Sequence, residues 1–410
     1  MASFSFGAGN AAKLLRIPLY ILGRVATWVI PRSRDRWVFG SAAGVADGAL
    51  ALWEHASAAG ETSVWLTATP REYAAAAGRG IPTVRKDSVR GFWATARARV
   101  IVVTHGFGDV NRYATAGAVI VQLWHGIPLK CIGLDSPATA QAPTPLLRAV
   151  VRYFYRRTQR RITVIPAASH LVRGRLESAF SLTDEQVPVT GEPRVDVLSV
   201  GTPALRRETA RAEIESLVGP IGARPLVLYA PTWRDGADDP SVPDATDWRL
   251  LGETLAAGDA LLLVRSHPLG AGDYSAGVGD RVRMLGSDIV ADVTPLLPAL
   301  DLLVTDYSSL IFDASLVPVA TVFLAPDAAA YAVERGFYGR YEDVTEGMQV
   351  SSWAEAAMQI GSILSDDETR ALRLASSARL DDLVHAHRDG RNTERVYRVI
   401  RDKLTGERRW

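Results

Sequence analysis

The sequence predicts an α/β protein built from two Rossmann-like domains, and three observations predict it. Short runs of Val, Ile and Leu recur along the whole chain without polar alternation, and longer stretches of helical spacing separate them. At 410 residues the chain exceeds one ordinary core and fits two of about 150–200 residues. An unbroken apolar run reads as a strand buried on both faces, which implies a parallel sheet covered by helices.

In the first half, strands are expected at Trp37–Phe39, Ser63–Leu66, Val100–Thr104, Val119–Trp124, Ile162–Ile165 and Val187–Thr190. The second half offers Leu226–Tyr229, Leu261–Val264, Arg281–Leu285, Leu302–Thr305 and Thr321–Leu324. The joint is expected at Leu198–Arg206, where Ser-Val-Gly-Thr-Pro interrupts both patterns. This gives an N-terminal segment 1–35, a first domain 36–200, a second domain 201–385 and a closing segment 386–410. In the closing segment Val396, Val399 and Ile400 repeat at helical spacing, so a helix is expected to pack back across the domain boundary.

With 48% hydrophobic and 22% charged residues the chain has the composition of a folded globular protein. The net charge of +1 gives no global field for nucleic acid, and no nucleic-acid partner is expected. Charge is locally uneven. No Asp or Glu lies between Ser136 and Leu176, where Arg148, Arg152, Arg156, Arg157, Arg160, Arg161, Arg173 and Arg175 all fall. A second basic cluster is Lys13, Arg16, Arg24, Arg32, Arg34 and Arg36. Cys131 is the single cysteine, so no intrachain disulfide forms. The apolar stretch Ile17–Ile30 is shorter than a membrane span needs and carries Arg24. Two readings are open for it: a segment lying on a membrane surface, or a helix packed on the protein's own surface.

Ligands of open α/β sheets sit outside the carboxyl ends of strands, and the chemistry-bearing residues cluster there. Strand Val119–Trp124 runs into His125-Gly126-Ile127-Pro128-Leu129-Lys130. This places an imidazole on a tight turn, either as a turn cap or as a base for an alcohol proton. Strand Leu261–Val264 runs into Arg265-Ser266-His267-Pro268, where two cations suit diphosphate oxygens. Strand Leu226–Tyr229 leads to Thr232 and Arg234, a hydroxyl and a guanidinium that otherwise reads as a surface ion pair. After Leu302–Thr305, Ser308 and Ser309 open a helix, either capping it or leaving its N–H groups for an anion, with Asp313 one turn on. No Asp-x-Asp, phosphate loop or G-x-G-x-x-G follows any strand, so the expectation is a site without metal, its charge met by Arg, His and a helix end. His385 and His387 read as surface residues, and His105 as a possible lining of the cleft.

Taken together, the motifs resemble one family. Gln122-Leu123-Trp124-His125-Gly126-Ile127-Pro128-Leu129-Lys130-Cys131-Ile132-Gly133-Leu134-Asp135 is similar to the signature of the CDP-glycerol glycerophosphotransferases, the teichoic-acid primases and polymerases. The similarity continues at Gly191-Glu192-Pro193-Arg194-Val195-Asp196, Tyr229–Arg234, Arg265–Pro268, Leu302–Asp313 and Arg335–Tyr338, in the family's order. It departs at Cys131, where a second Lys is expected, and at Arg340, where an acid is frequent.

The resemblance implies a GT-B fold whose first domain serves the acceptor and whose second binds the donor. It implies transfer of a polyol phosphate from CDP-glycerol or CDP-ribitol to a hydroxyl of a lipid-linked glycan or polymer, releasing CMP, with no other cofactor. His125 and His267 would be catalytic. Thr232, Arg234, Arg265, His267, Ser308, Ser309 and Asp313 would bind donor. Lys130, Arg148, Arg152, Arg156 and Arg157 would face the acceptor and an anionic membrane surface, making the protein peripheral at the cytoplasmic face. A GT-B glycosyltransferase using a nucleotide sugar is the alternative. A non-catalytic scaffold binding acidic lipid or nucleic acid would leave the second-half strand ends unexplained.

Overall fold

The computed structural model describes residues 17–137, 139, 144–234, 239–266 and 272–406. Internal contacts divide the chain into two compact units. The first comprises the chain up to His125, Cys131–Asp196 and the chain from Asp389; the second comprises Gly126–Lys130 and Val197–Arg388.

The first unit opens with α1 (Ile17–Val29) and then alternates β1 (Arg36–Phe39), α2 (Asp47–Ala58), β2 (Thr62–Thr67), α3 (Pro70–Gly78), β3 (Thr83–Arg85), α4 (Val89–Arg97), β4 (Val100–Val103) and β5 (Val119–Gln122). Helices α5 (Pro145–Gln159) and α6 (His170–Phe180) follow, and α14 (Asn392–Gly406) returns from the end of the chain. All strand pairs are parallel, in the order β3-β2-β1-β4-β5. Trp37, Phe39 and Trp65 stack along one face under Tyr397 of α14, and Val38, Leu66, Ile101 and Val103 fill the other. Asp196 caps α14 by accepting the N–H groups of Asn392 and Thr393 at 2.9 and 2.7 Å. Gly191 has φ 74°, and a Cβ there would lie 2.1 Å from the Asn392 side chain, so only glycine lets this helix start dock.

The second unit holds α7 (Pro203–Val218), β6 (Leu226–Ala230), α8 (Ala245–Ala257), β7 (Leu261–Val264), β8 (Val282–Met284), β9 (Leu302–Thr305), α9 (Leu310–Ala314), β10 (Ala320–Phe323), α10 (Ala328–Arg335), α11 (Tyr341–Thr345), α12 (Trp353–Ser365) and α13 (Asp367–Val384). Its sheet is again parallel, ordered β10-β9-β6-β7-β8. Read by order of appearance within each unit, both sheets run 3-2-1-4-5, so both have a switch point between their first and fourth strands. Three helices begin on Thr-Pro pairs, Thr69-Pro70, Thr144-Pro145 and Thr202-Pro203. In each the threonine hydroxyl accepts a first-turn N–H and the proline takes a position that needs none.

Four expectations change. Ile162–Ile165 and Val187–Thr190 are not sheet strands; they make only isolated bridges, Val121 with Val164 and Ala167 with Val189. Pro166 and Pro188 lack the N–H groups a ladder would use there. Strand β3 was missed because three residues give too little periodicity to detect. His385 is buried, not a surface residue: its Nε2 lies 2.8 Å from the Phe312 carbonyl. Arg32 does not serve a basic surface; it turns inward and donates to the carbonyls of Thr95, Ala98, Ala114 and Ala116. Helix α1 itself packs Gly23 against Tyr113 and leaves Ile21, Leu22, Trp28 and Val29 exposed. Among the described residues no helix is long and apolar enough to cross a membrane.

Candidate functional site

In the first unit the chemistry gathers at the carboxyl ends of β1, β4 and β5, with the β1/β4 switch point among them. The Thr104 hydroxyl, just past β4, donates to the Ser41 hydroxyl just past β1 at 2.9 Å. Asp109 grips the turn after β4, accepting N–H groups from Thr104 at 2.9 Å, His105 at 2.8 Å and Gly106 at 3.3 Å. This fixes His105, whose ring stacks on His125 with centroids 4.1 Å apart and planes 1° from parallel.

His125 follows β5 through a strained turn. Trp124 has φ 63° and Gly126 φ 130°; a bulky residue in the left-handed region costs on the order of 1–3 kcal/mol. The Trp124 ring tilts onto His125 at 4.3 Å and packs edge-on to Phe180 of α6 at 5.1 Å. The Nδ1 of His125 is buried without a hydrogen-bond partner among the described residues. Burial first, then the neighbouring His105, holds the His125 pKa well below the usual imidazole value, against a hydrogen bond with the Thr104 backbone. The ring is therefore neutral at pH 7, and a neutral imidazole can accept a proton. Beside it Asp47, with φ 63°, accepts from Arg194 Nε at 2.8 Å in a nearly buried pair.

In the second unit the switch point lies between β6 and β9, and Asp306 occupies it. Its Oδ1 accepts the N–H groups of Thr232 at 2.8 Å and Tyr307 at 2.6 Å. Its Oδ2 accepts Arg234 Nη1 at 2.9 Å. Arg234 also donates Nε and Nη2 to Asp327 at 2.8 and 2.9 Å, and its guanidinium lies over Tyr307 and Tyr331 at 5.0 and 4.8 Å. Burial raises the Asp306 pKa against the pull of Arg234 and Thr232. At Asp327 burial is outweighed by hydrogen bonds from Arg234 and Tyr307, and the carboxyl is held below the usual range. Arg234 is thus neither a surface ion pair nor an open diphosphate receptor. Its three nitrogens are occupied by two carboxylates and the Thr232 carbonyl.

Thr232 differs: its hydroxyl is buried at the switch point without a partner among the described residues. Ser308 and Ser309 open α9, where the Ser308 hydroxyl accepts the Leu310 N–H at 3.3 Å and Ser309 makes no side-chain cap. Asp313 is buried in α9, and its charge favours the protonated form of the nearby His385. Arg265 donates to the carbonyls of Leu285 at 3.2 Å, Val290 at 2.9 Å and Ala291 at 3.1 Å, clamping the loop after β8. His267 lies outside the described residues.

Lys130 belongs with the second unit, not with the acceptor-facing arginines. It bridges to Phe337 and lies 5.9 Å over Tyr331. Burial lowers its pKa to about 8; Asp306 opposes the shift, and Arg335 and Arg234 add to it. Arg148, Arg152, Arg156 and Arg157 all lie on α5, none of whose side chains is buried. Of the other arginines in that acid-free stretch, Arg161 donates to Thr115, and Arg173 pairs with Glu177 and Asp184.

Sequence reasoning passed over Asp306, Asp327, Asp109 and the Asp47–Arg194 pair. The signal available for Asp306 and Asp109 was position, one residue and one turn past buried strands. Nothing local marks Asp327 or Asp47, whose partners are 93 and 147 residues away. Among the described residues no three His, Cys, Asp or Glu side chains are placed to hold a metal ion.

The chain is similar to proteins of known activity. A Staphylococcus aureus teichoic acid glycerol-phosphate transferase is 26% identical over 335 residues, 78% of this chain and 80% of that one. A Bacillus subtilis teichoic acid poly(glycerol phosphate) polymerase is 27% identical over 296 residues, 70% of this chain but only 38% of the polymerase. The structure of the wall teichoic acid polymerase TagF superposes with a TM-score of 0.75 at 20% identity, covering 99% of this chain and 100% of that one, and so shares its fold. Residues 24–402 match the family described as CDP-glycerol:poly(glycerophosphate) glycerophosphotransferase, so the chain belongs to that family and is a glycerophosphotransferase.

Proposed function

We propose that the protein transfers a polyol phosphate, glycerol phosphate in the first instance, from a CDP-polyol to a hydroxyl of a lipid-linked acceptor in teichoic acid synthesis, releasing CMP. The observation that carries the reading is His125, a neutral imidazole with an unpartnered buried Nδ1 at a strand's carboxyl end. Nδ1 takes the acceptor's hydroxyl proton. The acceptor oxygen bonds to the polyol-bearing phosphorus, and the bond from that phosphorus to the bridging oxygen breaks, the electron pair leaving with CMP. His267, which lies outside the described residues, is proposed as the second catalytic residue, acting on the donor diphosphate.

In the second unit, the Thr232 hydroxyl and the start of α9 at Ser308 and Ser309 are the donor contacts we propose, with Asp313 positioned behind them. Arg234, Asp306 and Asp327 hold those contacts in place, because donors fixed before the reaction need no reorganisation during it. The matching strand order of the two sheets supports the GT-B architecture for the pair of units.

Docking at the cytoplasmic face of the membrane is part of the proposal. Exposed Ile21, Leu22, Trp28 and Val29 on α1, and Leu146, Val150, Tyr153 and Phe154 on α5, support it, with Arg148 and Arg157 exposed on the latter. Sedimentation with phosphatidylglycerol vesicles, reversed by high salt, is the expected result; salt-insensitive partitioning would count against docking.

The deciding experiment incubates the protein with CDP-glycerol, CDP-ribitol or nucleotide sugars and a lipid-linked acceptor, and follows CMP release. Acceptor-dependent CMP from a CDP-polyol is expected. Turnover with nucleotide sugars alone would replace this reading with a glycosyltransferase.

A further inference from the structure

We propose that a cavity in the first unit, walled by α5 and α6, binds the phosphodiester backbone of a polyol-phosphate chain at a place separate from the donor contacts. The cavity measures about 640 Å³, within the ~300–1,000 Å³ range of small-molecule sites. Arg152 and Arg156 of α5 and Arg160 at its C-cap recur every four residues and line one side together. Among the described residues the side chains of Arg156 and Arg160 make no hydrogen bond or ion pair, and Arg152 makes one long bond to the Leu134 carbonyl at 3.4 Å. Two carboxylates also line the cavity. Asp135 accepts the Ser178 hydroxyl at 2.7 Å, and Glu177 is paired with Arg173 at 3.0 Å. Three guanidiniums facing two carboxylates, one already neutralised by a fourth arginine, leave the cavity positive.

Two features select a polymer over a phospholipid headgroup. The remaining lining is rich in hydroxyls, from Ser178, Ser181 and Thr183, which suits the free hydroxyls of a polyol. Its apolar part is Leu134 and Leu182 alone, too little for an acyl chain, while the exposed apolar residues of α5 do not line it. Position adds a third argument. The last turn of α6 supplies Ser178 to the cavity and Phe180 to the packing of Trp124, which lies against His125. On this proposal a chain whose terminal hydroxyl is at His125 runs its preceding phosphodiesters towards the arginines. This step rests on the proposed acceptor chemistry.

The test is binding, not turnover. A soluble glycerol phosphate trimer is titrated calorimetrically into the full chain and into Arg156→Ser/Arg160→Ser. As a control with equal charge loss, Arg79→Ser/Arg249→Ser removes two exposed arginines of surface ion pairs. The expected result is trimer binding that falls about 2- to 30-fold in Arg156→Ser/Arg160→Ser, two exposed contacts' worth. The control pair should bind as the unaltered chain does, and CDP-glycerol affinity should be unchanged in both. Absence of trimer binding, or equal loss in the control pair, overturns the site. So does dependence of phosphatidylglycerol vesicle binding on Arg156 and Arg160 when trimer binding has none, since that assigns the cavity to headgroups. Loss of CMP release from CDP-glycerol by the unaltered chain would defeat the proposed reaction instead, whatever the trimer does.

Discussion

The Arg234 cluster makes a quantitative prediction through Asp306→Asn. The asparagine keeps the size of aspartate, and its amide oxygen can still accept the N–H groups of Thr232 and Tyr307 that Oδ1 accepts now. What changes is the other side. The oxygen facing Arg234 Nη1 at 2.9 Å becomes an NH₂ group, so a donor meets a donor in a pair only 6% and 2% exposed. Arg234 retains Asp327 through two nitrogens, so its charge is not orphaned. The loss is therefore one charge-assisted hydrogen bond, about 1.5–3 kcal/mol, plus the mismatch. It should stay below the ~3–5 kcal/mol of a fully broken buried pair. About 2–3 kcal/mol is expected, read as amide exchange in β6 and β9 becoming ~30- to 150-fold faster. Arg234→Met keeps the apolar stem over Tyr307 and Tyr331 and removes the clash, so the double variant should recover part of the loss. A change under about 0.5 kcal/mol, or strictly additive single and double variants, would refute the account of Arg234 as an organiser of the switch point.

Three further outcomes follow from the same geometry. His125→Ala should lower turnover by about 10²–10⁴-fold while CDP-glycerol affinity, measured by calorimetry, stays near that of the unaltered chain; near-normal turnover would return His125 to a turn-capping role. Arg265→Ala should release the 285–291 loop, accelerating its amide exchange and weakening CDP and cytidine alike; a loss confined to CDP would show a direct diphosphate contact. His105, His125 and His385 all have pKa values lowered by burial, so below pH about 6.5 the unfolded chain takes up protons that the folded chain does not. Stability should be full above that pH and fall as pH drops through it, by up to about 1.4 kcal/mol per pH unit per histidine, and a urea midpoint unchanged between pH 7.5 and 5.5 would contradict this.

The fold was legible where burial is two-sided. Nine of the ten strands among the described residues fall on expected runs, and the clearest, such as Val100–Val103 and Leu261–Val264, are unbroken because a strand covered on both faces has no polar residue to interrupt it. The misses have separate causes, since β3 is too short to show a period and the two bridge segments run into prolines. Ile162–Ile165 has the same composition, but whether an apolar run joins a ladder depends on backbone donors, and Pro166 and Pro188 remove them. The candidate site was legible as positions rather than as partners. His125, Thr232 and Ser308 follow buried strands, and the strand end is where an α/β sheet opens to ligands. What each side chain touches was not legible, because the partners that decide it come from distant sequence. Asp327 turns Arg234 from a receptor into a brace, and three carbonyls of the 285–291 loop do the same to Arg265. An exposed-looking arginine in a motif therefore carries no role until its donors are accounted for.

The two switch points use opposite electrostatic strategies, and the difference follows from what each must do. A base has to change its charge during the reaction, so its surroundings must tolerate both forms. His125 stacks on a second imidazole, and burial together with that neighbour keeps it neutral until a proton is offered. A carboxylate at that position would stabilise the imidazolium and raise the pKa of the base. The donor contacts have to stay fixed while charge moves on the substrate. There the chain places a guanidinium that cannot deprotonate between two carboxylates, and ties Thr232 and Tyr307 to the same Asp306 oxygen. Exchanging the strategies should fail in a defined direction. His105→Asp puts a carboxylate against His125 and raises its pKa, so the acid limb of the kcat/KM profile should move up towards neutral pH. If His105→Asp leaves that limb in place while the protein stays folded, His125 is not the group whose proton the profile reports.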